Sequence, residues 1–268
     1  MRPLSGISAA SWRAIRGVLC DIDDTITTDG RLTAAAYDAL ARLHAAGLRV
    51  IPITGRPAGW CDHIARMWPV DAVVGENGAF WFRYDHKKHV MHRQFIDPPE
   101  TRTRHRAALA LIADEILAAV PGTAVASDQH YRETDLAIDF CEDVPRLPDT
   151  AVQRIVDIMH RHGLTAKASS IHVNGWFGSY DKLATTRELF NKGFGIDLDA
   201  ERDNYVFVGD SPNDAPMFGY FPQAVGVANI RDFSGRLAHE PAYVTNASAG
   251  AGFVEFTNLL LEAIQKNE

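Results

Sequence analysis

Val18-Leu-Cys-Asp-Ile-Asp-Asp-Thr25 is a short apolar run that ends abruptly in acidic residues. Such a run predicts a buried parallel strand with chemistry at its C-terminal end, because open parallel sheets bind ligands beyond the carboxyl ends of their strands. Just downstream, Thr33 caps a helical stretch with Ala36, Leu40 and Leu43 along one face, and Gly47 stops it. Leu48–Ile53 reads as a second strand, followed by Thr54-Gly-Arg-Pro57 and a helix through Met67, and Ala72–Val74 reads as a third strand. This strand–helix alternation predicts an α/β fold with a Rossmann-like parallel sheet.

The texture changes near Tyr84. Asp85–Arg93 is rich in His and Lys, and Pro98-Pro99 punctuates a connection. Helices over Arg104–Ala119 and Thr150–His162, with strands at Leu136–Phe140 and Ile171–Phe177, lack the first unit's rhythm and suggest an α+β insert at residues 85–179. The parallel pattern then resumes with a helix over Lys182–Lys192, strands at Tyr205–Val208, Ala224–Ala228 and Ala242–Thr245, and a closing helix over Phe253–Ile264. The core is therefore expected in two parts, 1–84 and 180–268.

Of the 268 residues, 46% are hydrophobic and 23% charged, ample for a real core. A formal charge of −7 argues against a general nucleic-acid binder, yet it leaves room for an anionic substrate because a bound cation can dominate a local field. Cys20, Cys61 and Cys141 are widely spaced and odd in number, which predicts neither a disulfide framework nor a zinc knuckle but small thiols in a reducing compartment. With no signal-peptide run at the N-terminus and no apolar stretch near the roughly 20 residues of a membrane span, the chain reads as cytoplasmic, with no membrane partner.

Two acidic clusters follow apolar strands directly, Asp21/Asp23 and Asp210/Asp214. Both can reach one crevice in a parallel sheet, and carboxylates gathered there repel unless a cation joins them. Oxygen ligands without Cys or His favour Mg²⁺, which keeps waters and binds substrate phosphate as well. In an extended segment Asp21 and Asp23 point to the same side, so one carboxylate can attack phosphorus while the other handles protons at the leaving oxygen.

Asp21-Ile-Asp23-Asp-Thr25, Ile53-Thr54-Gly-Arg56, Asp181-Lys182 and Gly209-Asp210-Ser-Pro-Asn213-Asp214, taken in that order, resemble the four motifs of the haloacid dehalogenase (HAD) superfamily of phosphatases. The resemblance implies Asp21 as a nucleophile forming an aspartyl-phosphate and Asp23 as general acid, then base. It implies Thr54, Gly55, Lys182 and Asn213 at the phosphate, with Lys182 offsetting charge between phosphate and nucleophile. It also implies Mg²⁺ held by Asp21, the Asp23 backbone carbonyl and Asp210, with Asn213 and Asp214 in support. Asp24 departs from the commonest first motif, which has Gly there, and is expected to point away from the site. The large insert lies between the second and third motifs, which resembles the C2-capped subfamily IIB. Gly75-Glu-Asn77-Gly-Ala and Ser169-Ser-Ile-His-Val-Asn-Gly-Trp176 are similar to that branch too. Its sucrose-phosphatase, Cof-type and mannosyl-3-phosphoglycerate phosphatase members imply a small phosphate ester, a sugar phosphate, as substrate. A phosphomutase and a catalytically silent sugar-phosphate sensor are the alternatives.

Weaker signals surround these. His86, His89 and His92 suit a polar hairpin better than a zinc site. Arg102, Arg104, His105 and Arg106 read as a solvated helix start that could also meet an anionic tail. His172, Asn174 and Trp176 are candidates for gripping a sugar where the insert returns to the core.

Overall fold

The computed structural model describes residues 1–265. Its first part runs β1 (Arg2–Pro3), α1 (Ala9–Ala14), β2 (Gly17–Cys20), the small hairpin β3 (Thr27–Thr28) and β4 (Arg31–Leu32), α2 (Ala34–Ala45), β5 (Arg49–Pro52), α3 (Ala58–Met67), β6 (Val73–Gly75), β7 (Phe80–Asp85) and β8 (Val90–Phe95). The middle holds α4 (Pro99–Ala119), β9 (Ala124–Val125), β10 (Asp135–Asp139), α5 (Asp149–Arg161), β11 (Thr165–Ala168) and β12 (His172–Trp176). The last part adds α6 (Lys182–Glu188), α7 (Leu198–Glu201), β13 (Tyr205–Gly209), α8 (Ala215–Tyr220), β14 (Val225–Gly226), β15 (Tyr243–Val244) and α9 (Ala249–Gln265).

The core sheet is parallel throughout, in the order β1-β15-β14-β13-β2-β5. The chain leaves β2 for β5 on one side and returns to β13 on the other, so β2 stands at the point where such sheets open a crevice. Alternation along the strands fills both faces. Val18, Cys20, Val206 and Val208 pack with Leu40, Leu43, Phe253 and Phe256. Leu19, Ile51 and Phe207 pack on the opposite face with Leu189, Phe190, Met217 and Phe218. Thr33 caps α2 as its sequence predicts, its hydroxyl accepting from the Ala36 N–H at 3.2 Å.

The middle segment builds its own antiparallel sheet, β11-β12-β10-β9, under α4 and α5. Leu109, Ile116, Ile138, Ile155, Met159 and Val173 form a separate core there. The boundary drawn at residue 85 falls inside a hairpin, because β8 pairs with β7 and β7 with β6. We place the start of the inserted fold after β8. His86 and His89 occupy the hairpin turn and His92 lies opposite Arg83. Arg102 and Arg106 both pair with Glu133, at 3.6 and 3.0 Å, and Arg104 is exposed on α4. The helix expected over Lys182–Lys192 loses its regular winding at Leu189, where a π-type turn runs to Phe194 and Gly195 closes it at φ 70°. The short elements β1 and α1 carry no periodic signal and are found only in the structure.

The segment between β6 and β7 is held in unusual backbone geometry, with Glu76 and Asn77 at φ 44° and 55° and Gly78 at 107°. A Cβ on Gly78 would lie 2.1 Å from the Asp181 carbonyl oxygen, and the Gly78 carbonyl accepts from the Thr185 hydroxyl. This loop therefore seats the start of α6, which carries Lys182. Gly78→Ala is expected to lose roughly 2 kcal/mol or more from clash and left-handed strain together, read as a lower midpoint in chemical denaturation.

Candidate active site

The register of β2 against β13, with Cys20 opposite Val208, brings two distant acidic clusters together. The Asp21 N–H donates to the Val208 carbonyl at 2.9 Å, so Asp21 leaves β2 beside the point where Gly209 leads into Asp210. Carboxylate oxygens of Asp21, Asp210 and Asp214 all lie within 4.8 Å of one another, and all three residues are buried. The Lys182 ammonium is the cation among them, 2.7 Å from Asp214 Oδ1 and 3.1 Å from Asp21 Oδ1. Burial and the neighbouring Asp214 and Asp23 carboxylates push Asp21 up to about 7 against the pull of Lys182. Burial, Asp21 and Asp214 likewise raise Asp210 well above the usual carboxylate range. Lys182 is held charged by Asp21 and Asp214 despite its burial. One ammonium does not balance three buried carboxylates, so the donor set fits a further cation.

The three carboxylates are not equivalent. Asp214 is fully engaged: Oδ1 meets Lys182, while Oδ2 accepts from the Asp210 and Ser211 N–H groups at 3.1 and 3.4 Å. It completes a capping box with Ser211 at the turn before α8. Asp210 accepts from Thr25 Oγ1 and Asn229 Nδ2, both at 3.3 Å, and Asp21 Oδ1 has no aligned hydrogen bond. Asp21 and Asp210 thus keep lone pairs for a metal of the hard, oxygen-seeking kind, with Asp214 fixing the loop behind them.

Thr54 follows β5, its N–H bound to the Val74 carbonyl at 2.9 Å and its Oγ1 accepting from the Arg56 N–H at 3.0 Å. Asn213 reaches the same region through Asn77, its Nδ2 donating to Asn77 Oδ1 at 3.5 Å. Residues of the inserted unit complete the enclosure: Asp21, Asp23, Gly55, Arg56 and Asn213 share one small cavity with Arg132, Ser169, Ile171, His172 and Asn174. His172 Nε2 lies 2.8 Å from Glu142 Oε2, and Asn174 Nδ2 donates to Asp135 Oδ2 at 2.8 Å. Trp176 is not brought to this cavity. It is buried in the core, stacked on Tyr180 at 5.7 Å, with its indole N–H donating to the Tyr180 carbonyl.

Two local expectations change. The strand ends at Cys20 and residues 22–26 turn tightly, with the Thr25 and Ile26 N–H groups both donating to the Ile22 carbonyl. Asp21 and Asp23 face one cavity because of that turn rather than because of an extended alternation. Asp24 does not point away from the cleft. It stands at φ 52°, the left-handed region that explains a glycine preference at this position, and lines the large cavity that also touches Asp210.

Residues to which the sequence assigned no role carry much of the connection between core and insert. Arg56 is 4% exposed and donates from Nε to both Asp23 oxygens at 3.0 Å and from Nη2 to Asp23 Oδ1 at 2.7 Å. The same guanidinium meets Glu142 at 2.7 Å and Asp128 at 3.5 Å, both from the insert. The buried Glu76 carboxylate accepts from the Ala58, Glu133 and Thr134 N–H groups at 2.9, 2.9 and 2.7 Å. Arg132 ties Asp128 and Asp135 to the Gly55 carbonyl. Arg56 was visible in its motif, whereas Glu142, Asp128 and Arg132 sit in stretches with no local signature.

Burial raises the Glu142 carboxyl, but the hydrogen bonds from His172 and Arg56 outweigh it and hold the group down to about 2, from 4.5. A depressed carboxylate adds stability above its unfolded value and loses it as pH falls through the folded one. The stability advantage of the wild type over Glu142→Gln is therefore expected in full above about pH 5 and to shrink as pH drops towards about 2, read by denaturant titration at each pH.

Comparison with known proteins follows the same lines. A family model described as haloacid dehalogenase-like hydrolase matches residues 18–128. A phosphoglycolate phosphatase of Haloarcula marismortui is 26% identical over 246 residues, covering 89% of this chain and 94% of that protein. The fold superposes on a Thermoplasma acidophilum protein with a TM-score of 0.67 at 17% identity, covering 92% of this chain and 98% of the other. It superposes on the Synechocystis sucrose-phosphatase with a TM-score of 0.61 at 16% identity, covering 92% and 98%. Residues 18–128 thus match the haloacid dehalogenase-like hydrolases, the chain is similar over most of its length to proteins named as phosphatases, and its parallel core with an insert between the second and third motifs shares the fold of solved phosphatases of that group.

Proposed function

We propose that the protein is a Mg²⁺-dependent phosphatase that hydrolyses a small phosphate monoester through an aspartyl-phosphate on Asp21. The observation that carries this reading is the buried trio Asp21, Asp210 and Asp214 around a single Lys182 at the ends of two adjacent parallel strands. An Asp21 carboxylate oxygen attacks phosphorus and the ester bond to the leaving oxygen breaks, that oxygen taking a proton from Asp23. Asp23 then takes a proton from water as the water attacks the acyl phosphate, releasing inorganic phosphate and restoring Asp21. Thr54, Gly55, Asn213 and Lys182 hold the phosphoryl oxygens, over which the transferring charge spreads. Mg²⁺ would be held by Asp21, the Asp23 backbone carbonyl and Asp210, and would neutralise charge between nucleophile and phosphate. Residues 99–179 act as a C2-type cap, with His172 and Asn174 among the groups that line the cavity shared with Asp21 and Asp23.

Two substrate classes have support. The fold likeness to sucrose-phosphatase favours a sugar phosphate. A carboxylate-bearing ester such as phosphoglycolate is favoured by the name of the relative from Haloarcula marismortui, and by Arg146. This cap arginine makes no ion pair among the described residues, lies near Asp24 and lines a cavity of about 860 Å³ that opens on Asp210.

Phosphate release from a panel of sugar phosphates and 2-phospho-hydroxyacids, with and without Mg²⁺, tests the reading. Turnover is expected only with the metal, and Asp21→Asn is expected to lower kcat by at least about a thousandfold. Sugar isomer in place of free phosphate would instead identify a mutase. If the carboxylate reading holds, Arg146→Gln raises KM for phosphoglycolate about tenfold, the loss of one charge-assisted contact, and leaves neutral sugar phosphates near their wild-type values.

A further inference from the structure

Asp23 is held from outside its own segment. Among the described residues, the hydrogen bonds to its carboxylate come from the Arg56 guanidinium, whose Nε and Nη2 grip it as a fork. The other edge of that guanidinium belongs to the cap, through Glu142 Oε1 at 2.7 Å from Nη2 and through Glu142 Oε2 and Asp128 Oδ2 at 3.5 Å from Nη1. Trp60 covers its face, with the ring centroid 4.5 Å from Cζ. Glu142 is itself fixed, since Asp139 accepts from the N–H groups of Cys141, Glu142 and Asp143 at 2.8 Å, and His172 takes its second oxygen. A planar fork shared between two carboxylates transmits orientation, because rotating it to suit one partner breaks the other.

We propose that Arg56 is a positioning residue that makes the orientation of the Asp23 carboxyl depend on the cap, with Glu142 as the cap's contact. This rests on the reading of Asp23 as the group that protonates the leaving oxygen. When the cap is seated, Glu142 locks the fork and the fork aims Asp23. When it withdraws, Arg56 keeps its charge but loses the second anchor, and Asp23 loses its fixed aim. Proton delivery is thereby confined to the state in which the site is covered.

The leaving group separates this from a merely structural ion pair. An alkyl phosphate needs a proton on its departing oxygen, whereas p-nitrophenyl phosphate departs as a stable phenolate. Glu142→Gln, and Glu142→Ala as a second variant, are expected to lower kcat/KM, which reports the steps through departure of the leaving group, about tenfold or more for an alkyl phosphate and less than about threefold for p-nitrophenyl phosphate. Arg56→Lys, which keeps the charge and loses the fork, is expected to show the same split. Equal losses on both esters, or no loss on either, would overturn the proposal. A melting-temperature double-mutant cycle between Asp23→Asn and Glu142→Gln supplies a readout independent of turnover. Non-additive shifts are expected, and additive ones would sink the coupling. A wild type that hydrolyses neither ester with Mg²⁺ would count against the proposed function, and the cycle would still decide this inference.

Discussion

Asp21, Asp210 and Asp214 crowd their carboxylates within 4.8 Å, out of water, around one ammonium group. Left alone, such a group is unfavourable, since burying a charge without a partner costs several kcal/mol or more per ion. The surrounding architecture makes it sustainable. The register of β2 against β13 sets the distance, the Ser211–Asp214 capping box fixes the loop, and the Gly78 loop seats the helix start from which Lys182 reaches in. The residual negative charge is the feature that suits a cation to this site. The site is thus a stored electrostatic imbalance, held by hydrogen-bonded backbone rather than by flexible side chains.

The seam between core and insert repeats that logic in a second register. Glu76 gathers N–H groups from α3 and from the segment before β10, Arg132 ties Asp128 and Asp135 to Gly55, and Arg56 spans Asp23 and Glu142. Satisfied buried networks of this kind specify one arrangement more than they add stability. A polar seam also suits a unit that must part and re-seat, because its groups regain water when exposed, whereas an apolar seam of equal area would resist opening. The insert keeps its own hydrophobic core around Ile138, Ile155 and Val173.

Much of the framework is legible in one dimension. The hydrophobic run of Gly17–Cys20, the Thr33 cap, the helix after Pro57 and the amphipathic Asp149–Arg161 are local patterns, and local patterns survive folding when the tertiary setting agrees with them. The boundary at residue 85 was not legible, because a hairpin strand that joins the core and one that opens an insert share the same alternation until their partner is known. Trp176 was misleading for a similar reason: an aromatic beside polar residues reads as a sugar platform until its indole is seen buried against Tyr180. Asp24 looked like a harmless departure, yet its left-handed backbone explains why glycine suits that position and why its carboxyl still meets the cleft.

By itself the sequence determined which residue types stand after the strands and at the helix start, and therefore the chemistry open to the site: carboxylates at 21, 23, 210 and 214, a hydroxyl at 54 and an ammonium at 182. Those identities follow from short motifs, each readable without its partners. Only the tertiary structure decided how they share charge, with Asp214 engaged by Lys182 and backbone while Asp21 and Asp210 keep free lone pairs. Only it joined Arg56 to Glu142, separated by 86 positions along the chain. The physical reason is the same in both cases: a motif specifies a donor or an acceptor, but a hydrogen bond or ion pair exists only where packing brings its second atom.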